Sequence, residues 1–470
     1  MAAQIATTTT FADTIPARPH APDKAPGLAS VLLRPHLLGN LIASFPDFWY
    51  ETDFSDFRVG IASAGRGIFI NEPNAIRHVL VTNAENYPKD ENQLSILKPL
   101  LGNGLLTADG NIWKRNRKLA APIFQHSSVK DFAPLFVAVA ERSLDRILAN
   151  GEPFLIDREM TRLTLEIIGE SILGADLSND IEGIADTVTH TLDKFPAMFL
   201  ASTFLPPLLR DGFIERLVQP GRRSLDGFAR KIIKYAKAKK SENTLLKRLM
   251  DASIADDGVE MSVDQVRDEV ATFLLAGHET TATTLSWAWY LLTLHPEALR
   301  HIQSEIEETA GNRPLTADDV PSLRYTRAVI DETLRLYPVV ANIMRKIVKD
   351  DEMPDGTELR GGRTILISPW VMHRHRSYWR DPDRFDPTRF LGEQAKSVPR
   401  YGYLPFGGGA RVCIGASFAL LEAVLILGTY ARRADIRIVN ADAVMPQARI
   451  VLRPTVPIRA IATLRANQLR

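Results

Sequence analysis

The sequence predicts a mainly α-helical protein with a small β portion, folded as one large helical domain with a minor β-rich subdomain. Helical periodicity runs through most of the chain from about residue 111 onward, and its longest segment is Val263–Leu294. Short apolar, β-branched runs appear only locally, for example at Thr364–Ile367 and Ala448–Val456. No internal repeat and no long linker divides the chain, so these elements are expected to share one core.

Residues 1–27 differ from the rest of the chain. They contain a run of four threonines and then four prolines, which predicts an extended or disordered lead-in before a domain of residues 28–470. The lead-in lacks the charged start and apolar stretch of a signal peptide. The sequence has no run of about 18 uninterrupted apolar residues, so no transmembrane helix is predicted. The nearest candidate, Phe418–Ala431, is short and carries Glu422, which favours a buried core helix.

Charge and cysteine content narrow the class of protein. Lys and Arg number 57 and Asp and Glu 56, so the formal charge is +1, which argues against nucleic acid or an anionic membrane as the main partner. A single cysteine excludes an intrachain disulfide and a zinc site built from cysteines. The single cysteine fits a reducing compartment, and we expect a cytoplasmic protein. We also expect a monomer.

The first motif pairs Trp113 with Arg117. They lie four residues apart and share one face of a predicted helix, while Lys114, Arg115 and Lys118 point elsewhere. An indole N–H and a guanidinium on one face suit a buried anion such as a carboxylate. Taken alone, a tryptophan packed inward beside a solvated arginine explains the pattern better.

The second motif, Ala276–Thr281, lies in the middle of the longest predicted helix. Gly277 costs about 1 kcal/mol relative to alanine there, and a threonine can bond back to a preceding carbonyl and bend the helix. The motif therefore predicts a local opening with room for a small molecule. Glu279 beside Thr280 suits a proton relay. Close packing of Gly277 against a neighbouring helix explains the glycine equally well.

The third motif combines Glu332 and Arg335 on a helix that Pro338 ends. The flanking residues are apolar, so the ion pair is expected to be partly buried and to need a further partner. We interpret this pair as structural.

The fourth motif is a glycine-rich loop from Phe406 to Gly415 that contains Cys413. Three consecutive glycines let the loop approach a flat group closely. The position just before an apolar helix and the charge of Arg411 predict a lowered thiol pKa. A thiolate is the ligand that pushes electron density onto haem iron. A catalytic thiol nucleophile is the alternative, whereas the glycine spacing fits no phosphate-binding loop.

In order and spacing, the four motifs together resemble the cytochrome P450 family over nearly the whole chain after the lead-in. The resemblance implies haem b as the cofactor and Cys413 as its axial ligand. It implies that the haem propionates are bound by Trp113, Arg117, Arg345 and Arg411. Further cofactor contacts are implied for Phe406, which would shield the thiolate, for Gly415, and for Ala276 and Gly277, which would border the oxygen site.

The resemblance also assigns a proton relay and a structural network. Glu279 and Thr280 would deliver protons during oxygen activation. Glu332, Arg335 and Arg389 would form the family's buried Glu-Arg-Arg network. The family segment Pro-Glu-Arg-Phe reads Pro-Thr-Arg-Phe here, with Thr388 in place of glutamate, which puts only a peripheral contact in doubt.

The implied reaction inserts one atom of O2 into an apolar substrate and reduces the other to water. The chain shows no flavin or NAD site, so a ferredoxin or flavodoxin with its NAD(P)H reductase is expected to supply electrons. Lys114, Arg115 and Lys118 are candidates for its docking patch, and a solvated helix face explains them equally well. Phe195–Phe213 suggests a terpenoid, fatty-acid or steroid-like substrate, and core packing explains that segment equally well.

Three alternatives belong to other classes. A haem-thiolate peroxygenase or hydroperoxide isomerase needs no proton relay, so Glu279 and Thr280 argue against it. A helical protein that binds haem or an apolar ligand without catalysis would give no oxidised product. A cysteine-dependent hydrolase would be colourless.

Overall fold

The computed structural model describes residues 59–61, 67–173, 205–238, 246–251 and 261–465, with isolated positions between 183 and 202 and at 244. The predicted lead-in of residues 1–27 and part of Phe195–Phe213 lie outside the described residues. The described part confirms the predicted class, because helices dominate and the sheets are small. None of the described helices combines the length and apolar character needed to cross a bilayer.

The helices form most of the described chain. The α-helices are α1 (Pro73–Arg77), α2 (Glu91–Leu101), α3 (Gly110–Ala120), α4 (His126–Val129), α5 (Ala133–Asn150), α6 (Ile156–Ile168), α7 (Pro207–Ala238), α8 (Val263–Leu294), α9 (Pro296–Ala310), α10 (Arg324–Leu336), α11 (Pro369–Met372) and α12 (Ala416–Arg433). Single π-helical turns continue α1 and α6, at His78–Thr82 and Gly169–Leu173. The apolar segment predicted as a core helix lies within α12, most of which is buried.

The strands are short and form small sheets. They are β1 (Val59–Ile61), β2 (Gly67–Ile70), β3 (Phe154–Leu155), β4 (Ile343–Lys346), β5 (Asp351–Glu352), β6 (Glu358–Leu359), β7 (Thr364–Ile367), β8 (Ala434–Ile438), β9 (Pro446–Ala448), β10 (Leu452–Pro454) and β11 (Arg459–Leu464). The largest sheet has the order β1-β2-β7-β4, in which β2 and β7 are parallel. The run predicted at Ala448–Val456 is not one strand, because the chain reverses after β9 and pairs antiparallel as β10.

The long helix α8 forms the centre of the core. Its predicted bounds are confirmed, and the Ser262 hydroxyl caps its start by accepting a hydrogen bond from the Gln265 amide at 3.2 Å. Near its end Trp287 stacks on Tyr337 with ring centroids 4.1 Å apart. The indole N–H of Trp287 also donates to the Leu452 carbonyl at 2.9 Å, which fixes the β9–β10 hairpin to the helix.

Candidate functional site

The glycine-rich loop folds back on itself before Cys413. The Cys413 amide donates to the Phe406 carbonyl at 2.9 Å and closes the loop. Gly407 and Gly409 have φ angles of +74° and +69°, a region that favours glycine. A Cβ at Gly409 would also lie 1.8 Å from the Leu80 carbonyl oxygen. The loop can therefore take this path only with glycine at that position.

The Cys413 thiol is accessible but lies deep within the protein. Burial raises its pKa, and the Gly415 amide and the charge of Arg117 oppose that effect only in part. The prediction that the helix start and Arg411 lower this pKa is therefore wrong. Desolvation raises the pKa by more than the Gly415 amide and Arg117 lower it. Coordination to a metal deprotonates a thiol outright, so the loop suits a metal-bound sulfur better than a free nucleophile.

Arg411 and Trp113 contact each other at the start of α3. The guanidinium lies 3.8 Å from the centre of the Trp113 ring system and donates to the Ala108 carbonyl at 2.9 Å. It also forms an ion pair with Asp109, whose carboxylate caps α3. Arg117, one turn after Trp113, donates to the carbonyl before Cys413 at 2.8 Å. Helix α3 is thus fixed directly against the cysteine loop.

Arg345 on β4 joins the same cluster, and so does Lys89, which sequence reasoning missed. Lys89 pairs with Arg345 in an isolated antiparallel bridge. Burial and the charges of Arg411 and Arg345 lower the pKa of Lys89 to about 7. Burial and Arg411 lower the pKa of Arg345 to about 10, while Asp109 opposes both shifts. No local sequence pattern marks Lys89, because the bridge joins residues far apart in the chain.

This cluster has more buried positive charge than negative charge. Three cations of the described chain, Lys89, Arg345 and Arg411, lie around one carboxylate, that of Asp109. Buried charges are costly unless they are paired. The cluster therefore favours a ligand that brings carboxylates of its own. A haem, with two propionates and an iron for the thiol, fits this donor set.

The middle of α8 is accessible along one narrow stripe. Every residue from Glu269 to Leu292 is buried except Ala276, Gly277 and Thr280. The Thr280 hydroxyl donates to the Ala276 carbonyl at 2.7 Å. Two small residues and a threonine thus form the accessible stripe of α8, at the motif where the sequence predicted room for a small molecule.

The backbone of this motif departs from the prediction. Helix α8 is α-helical throughout. The expected opening of its hydrogen-bond ladder, which would break the helix, does not occur. A Cβ at Gly277 would lie 2.5 Å from the Ile168 Cδ1 atom on α6. Close helix packing, the alternative explanation of Gly277, therefore has direct structural support.

The structure does not pair Glu279 with the Thr280 hydroxyl. Glu279 is buried and accepts a hydrogen bond from Arg453 Nε at 2.7 Å, and the two side chains form a partly buried ion pair between α8 and strand β10. Arg453 lies 174 residues further along the chain, so no local pattern could have predicted it.

Phe124 connects the α8 stripe with the cysteine loop. Its ring centroid lies 5.6 Å from that of Phe273, one turn before Ala276 on the same face of α8. It also lies 6.5 Å from the Phe418 ring on α12. A Cβ at Gly415 would lie 4.0 Å from the Phe124 Cε1 atom. The accessible face of α8 and the end of the cysteine loop therefore adjoin the same aromatic cluster.

The three residues predicted to form a buried network lie close together: Glu332, Arg335 and Arg389. Glu332 and Arg335 are fully buried and form a bidentate pair at 2.6 and 2.7 Å, and Arg389 Nε lies 3.5 Å from Glu332 Oε1. Arg335 also donates to the backbone carbonyls of His373, Pro382 and Arg384. The further partners expected for a buried pair are thus present.

His373 extends this network to the cysteine loop. Burial and the charges of Arg335 and Arg374 lower the pKa of His373 to about 3, so the ring is neutral at ordinary pH. Its Nδ1 faces the Arg335 carbonyl at 3.3 Å, and its Nε2 accepts from the Leu404 amide at 2.7 Å. The Leu404 carbonyl in turn accepts from Gly407 at 3.1 Å. Sequence reasoning missed His373, because its role depends on contacts 31 and 38 residues away.

Comparison with known proteins identifies one family. The sequence model of the cytochrome P450 family matches residues 63–461. Cytochrome P450 132 of Mycobacterium tuberculosis is 31% identical, covering 86% of this chain and 88% of its own. Cyclooctatin synthase of Streptomyces melanosporofaciens is 33% identical over 81% and 83% of the two chains. Cyclooctat-9-en-7-ol 5-monooxygenase of the same organism is 31% identical over 90% and 91%.

Proposed function

The chain belongs to the cytochrome P450 family and is a haem b monooxygenase, and from this premise we propose that it inserts one atom of O2 into an apolar substrate of the terpenoid, fatty-acid or steroid-like class. One observation carries the proposal. Gly415, two residues after Cys413, and Phe273, one turn before the accessible stripe of α8, both adjoin the ring of Phe124. That arrangement offers an iron ligand on one side and room for a small molecule on the other.

The residues of the site divide into those that would hold the haem and those that would move protons. Cys413 would ligate the iron, and Phe406 and Gly415 would frame that ligand. The propionates would be held by Lys89, Trp113, Arg117, Arg345 and Arg411. Bound haem supplies the activation of dioxygen. The protein supplies the thiolate, the surroundings and the protons.

Thr280 and Glu279 would hold and transfer protons. The Thr280 hydroxyl lies on the accessible stripe and would hold a proton at its Oγ atom. Glu279 lies behind the stripe, and once its ion pair with Arg453 opens, its carboxylate would take up a proton from solvent and pass it to that hydroxyl. Ala276 and Gly277 are small enough to leave space beside Thr280.

The apolar substrate class has two supports. Leu205, Leu208, Leu209 and Phe213 are exposed near the start of α7, whereas Met198 and Ala201 lie in the core, so core packing explains only part of Phe195–Phe213. By resemblance to the family, this segment lies near the loop that roofs the pocket, where apolar side chains suit an apolar ligand. One relative is named as a monooxygenase of cyclooctat-9-en-7-ol, which favours a terpenoid among the three classes.

A substrate screen tests this proposal. Purified haem-bound protein is titrated with terpenoid alcohols, fatty acids and steroids, and with small polar compounds as controls, while the Soret band is recorded. Apolar compounds are expected to shift the band, and NADPH, a ferredoxin and its reductase are expected to yield an oxidised product. If peroxide alone supports turnover, the peroxygenase alternative replaces this proposal. If only polar compounds shift the band, the apolar class is wrong.

For electron supply we propose docking of a ferredoxin or flavodoxin at a basic patch on α3, formed by Lys114, Arg115 and Lys118. Lys114 and Lys118 are exposed, and Arg115 is partly exposed. The same helix carries Arg117, which bonds to the loop carbonyl before Cys413. A carrier docked here would lie on the cysteine side of the haem. Acidic carriers are attracted to such patches over long range.

Charge reversal of Lys114 and Arg115 to glutamate is expected to slow reduction by an acidic carrier by roughly tenfold at low salt, because steered encounter is lost. The deficit should shrink as salt screens the remaining attraction. Stopped-flow reduction at several ionic strengths measures it. Arg437→Glu on β8 is the control, since it reverses an exposed cation on another element. Equal rates in the α3 variant and the control at every salt concentration would contradict the docking patch.

A further inference from the structure

Helix α8 carries a buried carboxyl group, Glu269, that the proposed mechanism does not use. Each of its two oxygens accepts a hydrogen bond from another element. The Leu105 amide donates to Oε2 at 3.1 Å, and the side-chain amide of Asn116 donates to Oε1 at 2.6 Å. Leu105 lies in the loop between α2 and α3, residues 102–109, and Asn116 lies on α3. Glu269 therefore connects α8 both to this loop and to the helix that follows it.

The contact between Glu269 and Asn116 has one arrangement of donors and acceptors. The Oδ1 atom of Asn116 accepts from the Nε2 atom of Gln265, one turn before Glu269 on α8, at 3.1 Å. Its Nδ2 atom therefore faces the carboxylate, which accepts and cannot donate. Burial and the charge of Asp268 raise the pKa of Glu269 to about 7, whereas the two donors lower it. The donors thus offset part of the cost of burying this charge.

The loop of residues 102–109 packs directly on the backbone of α8 beside Glu269. The Asn103 amide donates to Asp268 Oδ2 at 2.7 Å. A Cβ at Gly104 would lie 2.5 Å from the Asp268 carbonyl oxygen, so this approach requires glycine. Three consecutive positions of the loop, 103–105, are therefore fixed on one turn of α8.

The other end of the same loop contacts two members of the cationic cluster, Lys89 and Arg411. Lys89 donates to the Leu106 carbonyl. Arg411 donates to the Ala108 carbonyl at 2.9 Å and forms an ion pair with Asp109. The loop thus supplies two carbonyls and the carboxylate that hold these cations. A shift of the loop on α8 would move them.

We propose that Glu269 is a positioning residue for haem binding, and that its carboxylate holds the loop of residues 102–109 and helix α3 where they present the propionate contacts. Asn116 directly precedes Arg117 and follows Trp113 by three residues. The hydrogen bond from Asn116 therefore fixes the turn of α3 that carries two of these contacts. Glu269 acts through these residues and not on the haem itself. This inference rests on the propionate contacts of the proposed function.

Replacing Glu269 by glutamine tests the contact with little change of size. A glutamine side chain has one acceptor oxygen, so its NH2 group must face either the Leu105 amide or the Asn116 side-chain amide, donor against donor. Haem-bound Glu269→Gln is expected to release haem to excess apomyoglobin roughly fivefold faster than wild type, the factor that corresponds to about 1 kcal/mol. Amide hydrogen exchange in residues 102–109 is expected to accelerate as well, because the loop loses its hold on α8.

A second substitution restores the pattern with its polarity reversed. In the double variant Glu269→Gln, Asn116→Asp, the amide at position 269 donates to the carboxylate at position 116 and still accepts from Leu105. Gln265 also keeps an acceptor at position 116. Haem release and loop exchange are therefore expected to return to within about twofold of wild type. Asn116→Leu removes the same hydrogen bond from the other side and should release haem faster, as Glu269→Gln does.

The matched control is Gln303→Leu. It removes the hydrogen bond that the buried Gln303 donates to Asp435 at 2.8 Å, between α9 and β8, which carry neither the loop nor α3. Its haem release and its exchange in residues 102–109 are expected to match wild type. If Gln303→Leu releases haem as fast as Glu269→Gln does, the effect is not specific to this contact and the inference is wrong.

Three other outcomes also overturn the inference. Unchanged haem release in Glu269→Gln would mean that the carboxylate does not position the haem contacts. Faster exchange of the loop with unchanged haem release would mean that Glu269 holds the loop alone. Faster haem release that the double variant does not reverse would mean that packing, and not the hydrogen bonds, is responsible. The proposed function fails separately, if haem-bound wild type gives no oxidised product from O2 with a reductase.

Discussion

Replacing Cys413 by serine is expected to abolish the red-shifted Soret maximum of the reduced carbonyl complex and to reduce monooxygenase turnover below detection. The chain contains no second cysteine that might replace the ligand. A serine hydroxyl does not push electron density onto haem iron as a thiolate does. The spectrum of the reduced, carbon monoxide-treated protein and product formation with a reconstituted reductase measure the two effects.

The control for this substitution lies in the same loop. Ala410→Ser adds a hydroxyl at an exposed position three residues before Cys413 and leaves the ligand in place. It is expected to keep the red-shifted band. If Cys413→Ser keeps that band as well, sulfur is not the ligand, and the site as described here is wrong. Haem content is measured alongside, so that loss of the band is not confused with loss of the cofactor.

The sequence could predict those parts of the fold whose causes are local. The bounds of α8 follow from a serine cap before Val263 and a proline after His295, and both lie next to the helix in sequence. The pairing of Glu332 with Arg335 follows from their spacing on one helix. The glycines around Gly409 indicate an unusual backbone, which the positive φ confirms.

The parts that the sequence could not predict depend on contacts between distant segments. Lys89 enters the cationic cluster through a bridge to Arg345, and Arg453 reaches Glu279 from another element. The direction of the pKa shift at Cys413 was also predicted wrongly, as a lowering where the structure gives a rise. A helix start favours the thiolate, but the desolvation that opposes it depends on how the whole chain packs around the loop.

The Glu-Arg-Arg network gives the largest expected loss of stability. Glu332→Gln is expected to lower the free energy of unfolding by about 3–5 kcal/mol, because it leaves the fully buried Arg335 without its charged partner. The backbone carbonyls that also accept from Arg335 do not neutralise its charge. Urea denaturation of the haem-bound protein measures the change.

The control is an exposed ion pair. Lys396 pairs with Glu393, and their side chains are 74% and 88% exposed, so Lys396→Ala is expected to cost less than about 1 kcal/mol. The comparison also tests the connection to the cysteine loop, since His373 joins the Arg335 carbonyl to the Leu404 amide. Glu332→Gln should therefore release haem at lower urea concentrations than wild type, whereas Lys396→Ala should not. Equal costs in the two variants would mean that burial does not make the Glu332 pair special and that the network does not support the loop.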